Sequence, residues 1–574
     1  MTPLQRWLPF LNWPRPDAPL MRNELIAGIT VALVMVPQCV AYAALAGMPL
    51  VTGLYAGLLP PLVAVLFGSS TRLSVGPAAL TCILTATSLS GLAQPASAQW
   101  VSLAVWLAIM SGVIQLALGA GRFAWVLNLV SSPVLLGFTQ AAALLIIASQ
   151  LPALLGASGP LTTLLERPAF DLAALSFGLA SLALLVAGKK YAPRVPMVVV
   201  VMAAAGLASW FSGYSTHGAI IGALPSELPS FYWPGWPGAE TMGALVVPAI
   251  VISLVSFLET ASSAKIESQR DGKRWNDNQD LLAQGLAKLA SAFSGSFPTS
   301  TSFSRSAITL YAGGKTGWAT IVTVAVVLFS LLFLTPLLYH VPKAVLAAVV
   351  VAAVAGLLKP RALPQLWKIG RVEALIAVAT FAVTLLTSPR IYWGVLTGVL
   401  LGLAHFLYHR LHPRIIEAGL HPDGSMRDRH LWNLAPLAPG MYAVRMDDEL
   451  DFASASALER AIIEHLSAHP GVRHVALLAQ PINRIDATGV EVFKQLRAFL
   501  RERGVTLHIS GIKLPVEKVL KRAGALDESA LLRMYRTDAE ALLAFAQLPE
   551  AAGAATLHAE TIQPSSGSRS AGKP

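Results

Sequence analysis

For roughly its first 410 positions the chain is built of long apolar blocks separated by short polar breaks. Taking about 20 residues per membrane span, the blocks fall near 24–46, 51–68, 78–92, 99–120, 132–152, 170–187, 194–212, 242–264, 279–294, 301–312, 317–339, 342–358, 371–388 and 390–410. Fourteen segments result, and the third and tenth are too short to cross. Each short segment follows a proline, Pro77 in one case and Pro298 in the other. Short or interrupted segments at matching places in two halves point to the central site of a transporter. With seven segments per half, the halves are inverted. The starts of the third and tenth segments are therefore expected to face each other halfway across the bilayer.

The stretch Gly295–Ile308 sharpens that expectation, because it sets Arg305 and six hydroxyls after Pro298 between two apolar blocks. Proline interrupts regular helix, and irregular polar backbone at membrane depth is tolerated only inside protein or against a watery cavity. An ionisable group there is a functional-site hypothesis by default. The free N–H groups of a short helix suit a bound anion.

The pattern changes after Arg410. Residues 411–438 read as a polar linker, and alternating strand and helix signals then run through 439–548: strands at 441–446, 472–479 and 506–510, helices at 453–468, 488–503 and from 515. Such alternation indicates a small α/β domain. The Ala-, Ser- and Gly-rich tail 549–574 reads as disordered. Residues 1–20, with Trp7, Phe10 and Trp13 among prolines, read as interfacial and not as a signal peptide.

Composition agrees with this layout: 574 residues are 55% hydrophobic and 13% charged, and the mean hydropathy is +0.60. The chain is a polytopic membrane protein. A net charge of +11 would suit nucleic acid, but the basic residues sit in short loops, where they orient spans. With the N-terminus inside, the inner loops carry Arg72, Arg122, Lys189, Lys190, Arg194, Lys273, Arg274, Lys315 and Arg361, among others. The outer loops carry only Arg167, Lys343 and Arg390, and the longest contains the aromatic run Phe231–Trp236. A cell (inner) membrane location with a cytoplasmic N-terminus and α/β domain is expected. The two cysteines, Cys39 and Cys82, support neither a disulfide framework nor a metal site. Gly314-Lys315-Thr316 lacks the glycine a phosphate loop needs five residues earlier, where Thr309 stands. No enzyme motif appears, and neither cofactor nor metal is expected.

The run Val36–Gly47, with Gly53-Leu54-Tyr55 and Val75-Gly76-Pro77, resembles the sulfate permease (SulP) family, relatives of prestin and pendrin. Gly295-Ser296-Phe297-Pro298 and Phe303-Ser304-Arg305-Ser306 form a second block. Residues 439–548 resemble the STAS module, with Asp486-Ala487-Thr488-Gly489 at its phosphorylatable loop. The resemblance implies a uracil-permease-like fold of 7+7 inverted repeats. It divides 21–410 into a core domain (24–120 and 242–339) and a gate domain (122–212 and 342–410), and it implies a homodimer in the lipid bilayer. It places a small anion between the starts of segments three and ten.

The candidate site residues are Arg305 with Ser302, Phe303 and Ser304 on one side. Gln38 and Tyr42, four apart on one helical face, and Ala78 and Ala79 lie on the other. The plainer readings are that Arg305 snorkels to the interface or pairs with an acid, that the serines bond back to their own helices, and that Gln38 and Tyr42 glue helices together. By resemblance, prestin-like relatives carry an aromatic residue where Ala78 stands, so a roomier pocket is expected. Glu259, with Thr260 and Ser263, is the candidate for the coupling ion, H+ or Na+; alternatively Glu259 neutralises Lys288. Thr488 is either a phosphorylation site or a helix N-cap. The leading function is proton-coupled uptake of sulfate, bicarbonate or a dicarboxylate by elevator-type motion. A sodium-coupled symporter, an uncoupled anion channel and an anion sensor signalling through the STAS domain stay open.

Overall fold

The structure is a computed structural model, and it describes residues 8–157, 171–192, 195–272, 274–526 and 530–548. The expected disordered tail 549–574 lies outside these residues, as do Arg167, Arg194, Lys273 and the first seven residues. Two compact units divide at Leu403/Ala404.

In the first unit every expected apolar segment contains helix. These are α1 (Ala18–Leu45), α2 (Leu50–Ala56) with α3 (Leu59–Phe67), α4 (Ala79–Leu89), α5 (Ala98–Ala120), α6 (Ser132–Leu154), α7 (Leu172–Tyr191), α8 (Met197–Phe211), α9 (Ala239–Asp271), α10 (Asp277–Phe293), α11 (Phe303–Tyr311), α12 (Trp318–Phe329), α13 (Lys343–Ala355), α15 (Arg371–Leu386) and α16 (Tyr392–Leu411). The short α14 (Ala362–Ile369) was not expected. Among the described residues, eight helical spans are long and apolar enough to cross a membrane. The third and tenth segments, α4 and α11, are only 11 and 9 residues long. A two-residue strand precedes each of them, β1 (Val75–Gly76) before α4 and β2 (Ser300–Thr301) before α11.

Local chemistry sets several helix ends. Asp17 accepts from Leu20 N at 2.8 Å, so α1 starts at Ala18, earlier than its apolar block. Ser97 and Asp171 cap α5 and α7 in the same way. Buried Glu24 on α1 accepts from the backbone N–H groups of Lys315, Thr316 and Ala319 at 2.9–3.0 Å, which serves the orphan donors at the start of α12. Nearby, the residues expected to be interfacial pack on protein: Trp13 meets Trp318 edge-on at 5.7 Å. In the aromatic loop Phe231 and Trp233 stack on Phe293 at the end of α10 while they and Trp236 stay exposed, as an interfacial belt requires.

Helix packing falls into two groups. In one, α10 lies on α5 and α3, and α1 lies on α12 and α2; a Cβ on Gly285 would sit 2.8 Å from Gly112 O, so glycine permits the α5–α10 approach. In the other, α6 and α7 pack on α13, and α6 on α15. The two groups touch mainly through α13 and α8 against α1 and through α4 against α6. Among the described residues no side-chain hydrogen bond joins helices of different groups.

The strands of the second unit are β3 (Ile415–Leu420), β4 (Met426–Asp428), β5 (Met441–Met446), β6 (His474–Leu478), β7 (Thr506–Ser510) and β8 (Leu532–Tyr535). They form one six-stranded sheet of order β4-β3-β5-β6-β7-β8, with β5 to β8 parallel and β3 antiparallel to both its neighbours. Helices α18 (Ala455–Ala468), α19 (Ala487–Glu502), α20 (Leu514–Arg522) and α21 (Asp538–Ala546) join them, after a short α17 at Arg429–Trp432. The expected linker 411–438 is therefore corrected: it supplies two strands, because Ile416 and Ala418 bury against the sheet and buried Glu417 is paired with Arg429 and His430. Thr488 is corrected as a cap. The N-cap is Asp486, whose carboxylate accepts from Gly489 N at 2.8 Å, and Thr488 is the second, exposed residue of α19.

Replacing Glu24 by Ala strands three N–H groups, and is expected to destabilise the transport unit by about 2–4 kcal/mol, read as a lower Tm by fluorescence-detected gel filtration. In the second unit, burial among His474 and the β8 side chains lowers His508 from its ordinary 6.5 to about 4. A depressed histidine means the unfolded chain binds the proton first, so stability is lost as pH falls from about 6.5 towards 4. The α/β domain should lose about 1–2 kcal/mol between pH 7 and pH 5, and His508→Gln should flatten that slope in denaturant titrations.

Candidate functional site

The stretch singled out by its polarity forms one half of a very short ladder. Strand β2 pairs antiparallel with β1, matching Val75 to Thr301 and Gly76 to Ser300. Ser302 N extends the ladder by donating to Ser74 O at 2.9 Å. Because the two strands run oppositely, the chain leaves the crossing in opposite directions, into α4 from one and into α11 from the other. Both helix N-termini, at Ala79 and Phe303, thus lie beside one small crossing and their axes lead away from it. Ser302 caps α11, whereas Ala78 at the start of α4 has no capping side chain, so its first N–H groups lack a side-chain acceptor.

Arg305 lies against this crossing and is fully buried. Its Nε donates to Ser74 Oγ and its Nη1 to Gln38 Oε1, both at 3.1 Å. Among the described residues no carboxylate pairs with it, and its Nη2 is buried without a partner. Arg305 therefore neither snorkels nor forms an ion pair. Nη2 lies close over Gly76, where an added Cβ would stand 3.4 Å from Nη2 and only 2.7 Å from Met35 Cε. Gly76 has φ +147°, a backbone that side chains resist. Two further unpartnered buried atoms, Gln284 Oε1 and Thr299 Oγ1, belong to the same neighbourhood.

Glu259 reaches β2 from α9, where Ser300 Oγ donates to its Oε2 at 2.5 Å. Next to it, Thr260 Oγ1 meets Thr301 Oγ1 at 2.8 Å, and Gln284 Nε2 donates to Thr301 Oγ1 at 3.1 Å. Lys288 makes no ion pair with Glu259; its Nζ donates to Gln115 Oε1 at 2.8 Å, and Gln115 reaches on to Ser253 O and Ser256 Oγ. The ladder is thereby suspended between a buried cation and a carboxylate.

The structure brings Gln38, Ala78, Ala79, Ser302, Arg305, Glu259 and Thr260 to the crossing. Tyr42 lies one turn beyond Gln38 and is 6% exposed. Phe303 and Ser304 are exposed on the first turn of α11. Ser263 is not recruited, since its hydroxyl bonds back to Glu259 O at 3.1 Å, the ordinary habit of a serine within a helix. Sequence reasoning missed Ser74, Gln115, Gln284, Ser300 and Thr301. A lone glutamine in an apolar block was the available signal for Gln115. Nothing local marked Ser74, which matters only through a bond to a residue 231 positions away.

These features define a class: a polytopic membrane transporter whose charged crossing sits between two half-helices, followed by an α/β domain. The family follows from comparison. Residues 21–380 match the sulfate permease family and 435–541 the STAS domain, and the chain belongs to the sulfate permease family of anion transporters. A probable sulfate transporter of Mycobacterium tuberculosis is 32% identical over 92% of this chain and 95% of its own. The chloroplastic sulfate transporter 4.1 of Arabidopsis thaliana is 29% identical over 92% of this chain and 79% of its own. The fold resembles that of the murine Solute Carrier 26 family member A9 anion transporter in its inward-facing state: TM-score 0.83, 22% identity, 94% of each chain covered. The transmembrane domain of a cyanobacterial bicarbonate transporter matches with TM-score 0.58 and 18% identity, over 68% of this chain and 98% of its own.

Gly76→Ala should weaken anion binding by about tenfold or more, roughly 1.4 kcal/mol, because a methyl group displaces Met35 and crowds Nη2. Gly91→Ala, also at positive φ (+86°) but facing open space, should leave affinity unchanged in the same equilibrium binding assay.

Proposed function

We propose that the protein is a secondary active transporter that carries a small oxyanion or carboxylate, of the sulfate, bicarbonate or dicarboxylate class, together with a proton. One observation carries the reading. A fully buried arginine with no acidic partner among the described residues and a free Nη2 faces the crossing of two helix starts, and a buried cation without a counter-charge is costly unless a ligand supplies one. The relatives' descriptions as sulfate transporters point to the same substrate class.

Uptake against the membrane potential costs about 2.3 kcal/mol per charge per 100 mV, so a dianion needs a companion cation. Glu259, hydrogen-bonded to the strand beside Arg305, is the group to carry it. The motion is a slide of the core group (α1–α5, α9–α12) past the gate group (α6–α8, α13, α15, α16). Its support is the apolar contact of α13, all Ala, Val and Leu after Lys343, against α1. Two inverted seven-segment halves, a homodimer, and a cell membrane with the basic loops and STAS domain on the cytoplasmic side complete the reading. An uncoupled channel would show large single-channel currents, and a sensor no flux.

Proteoliposomes loaded at neutral pH and diluted into acidic buffer should accumulate labelled sulfate, bicarbonate or a dicarboxylate; failure of all three removes the reading. Glu259→Gln should abolish the pH dependence of uptake while anion affinity persists, and pH-driven uptake equal to wild type would refute the carrier role.

A further inference from the structure

A cavity of about 940 Å³ in the transport unit lies away from the ladder. It opens among the basic ends of α1, α3, α5, α9 and α10, and Arg122, Arg274 and Lys315 line it with Trp13, Trp275 and Asn278. The three cationic side chains are exposed and make no ion pair or hydrogen bond among the described residues. Two acids also line the cavity, Glu267 and Asp271, and both are engaged by Arg72, the former at 3.3 Å from Nε. Asp280 and Glu24 are likewise engaged, by the Ser69, Ser70 and Trp275 donors and by the Lys315 and Thr316 backbone, so Arg122, Arg274 and Lys315 are the cavity's cations without an acidic partner among the described residues. Arg122 adds a second sign. It follows Gly121 at the end of α5 and takes the left-handed conformation itself, φ +60°, a position usually given to glycine or asparagine, and residues held in sparsely populated backbone regions gather at ligand clamps. The indole N–H of Trp13 is buried without a partner.

We propose that this cavity is a second, regulatory site for a phosphomonoester, its phosphate held by Arg122, Arg274 and Lys315 and its uncharged part laid against Trp13 and Trp275. Guanidinium forks and an ammonium together suit a phosphate's several oxygens. The site communicates with the ladder. Ser69, Ser70 and Thr71 line the cavity and are fastened by Asp280 and Glu267, with Ser69 N and Ser70 N donating to Asp280 at 2.6 and 3.0 Å and Thr71 N to Glu267 at 3.0 Å. Three residues further on, Ser74 holds Arg305. Occupancy of the cavity therefore biases the strand that carries Gly76, and the coupling is reciprocal.

The test uses the full chain in phosphatidylcholine nanodiscs. One arm adds glycerol 3-phosphate to the solution, and the other dopes the bilayer with phosphatidic acid, the same headgroup as a lipid. A rise in Tm in either arm is expected, and it should be lost, with affinity about tenfold lower or worse, in the Arg122→Ala/Arg274→Ala/Lys315→Ala triple variant. It should persist in Arg361→Ala/Lys368→Ala/Arg371→Ala, which removes equal charge away from the cavity. A response to phosphatidic acid alone assigns a lipid ligand, and a response in both arms a soluble one. No shift in either arm, or equal loss in the two triple variants, overturns the site, and neither outcome bears on sulfate uptake through the ladder.

Discussion

Everything around the ladder follows from holding one guanidinium out of water. A cation in a low-dielectric interior costs several kcal/mol unless neighbours offset it, and around Arg305 the protein supplies only two neutral acceptors, Ser74 Oγ and Gln38 Oε1. Those acceptors come from two different chain segments, so the arginine ties the start of α11 to α1 and to β1 at once. Its lasting deficit of negative charge is what an anion can fill.

The ladder solves a second constraint. Backbone that is neither helix nor closed sheet must find partners inside protein at membrane depth. Two residues from each strand pair with each other, Ser302 N adds one bond, and Ser291 Oγ donates to Phe297 O at 2.7 Å. Satisfying the backbone this way leaves the first N–H groups of α4 for a ligand. The same irregularity brings Ser300 Oγ to Glu259, and Ser300 is paired with Gly76, over which Arg305 Nη2 lies, so the carboxylate and the arginine meet at one cross-strand pair. In the proposed symport, a proton on Glu259 and an anion at Arg305 would be linked through that pair.

The spans were legible because apolar length is a direct consequence of bilayer thickness. The broken pair was legible because proline and hydroxyls are costly inside an apolar block unless they shape a buried polar site. Boundaries were less so: α1 begins at Asp17's cap, and α9 runs on to Asp271, well past its apolar block. Residues 411–438 misled because a short edge strand such as β4 carries no apolar run of its own and is defined by its pairing with β3. For the site, Arg305, Gln38 and Glu259 announced themselves as polar groups in greasy segments. Ser74, Ser300 and Thr301 did not, since a hydroxyl's worth depends on which distant atom it meets. The choice between a Glu259–Lys288 pair and separate roles was likewise invisible, because Gln115 on a third helix takes the ammonium.

The polar and apolar inventories are also divided in a way that suits the proposed slide. Hydrogen bonds to Gln115, Gln284, Asp280, Glu267 and Glu24 all stay among α1, α3, α5, α9, α10 and α12 or the loops between them, making that group stiff. Across the seam to α6, α8 and α13 the packing is apolar, with Phe138, Ile146, Met202 and the Ala/Val face of α13 in one cluster with α1 and α4 residues, and such contacts lose little when they slip by a turn, because dispersion contacts broken on one side reform on the other. A directional bond across the seam would have to break without replacement, at the cost of a buried unsatisfied group. Under the proposed slide, keeping directional bonds within each body and non-directional contact at the boundary lets the arginine and carboxylate travel as a unit while their mutual geometry is kept.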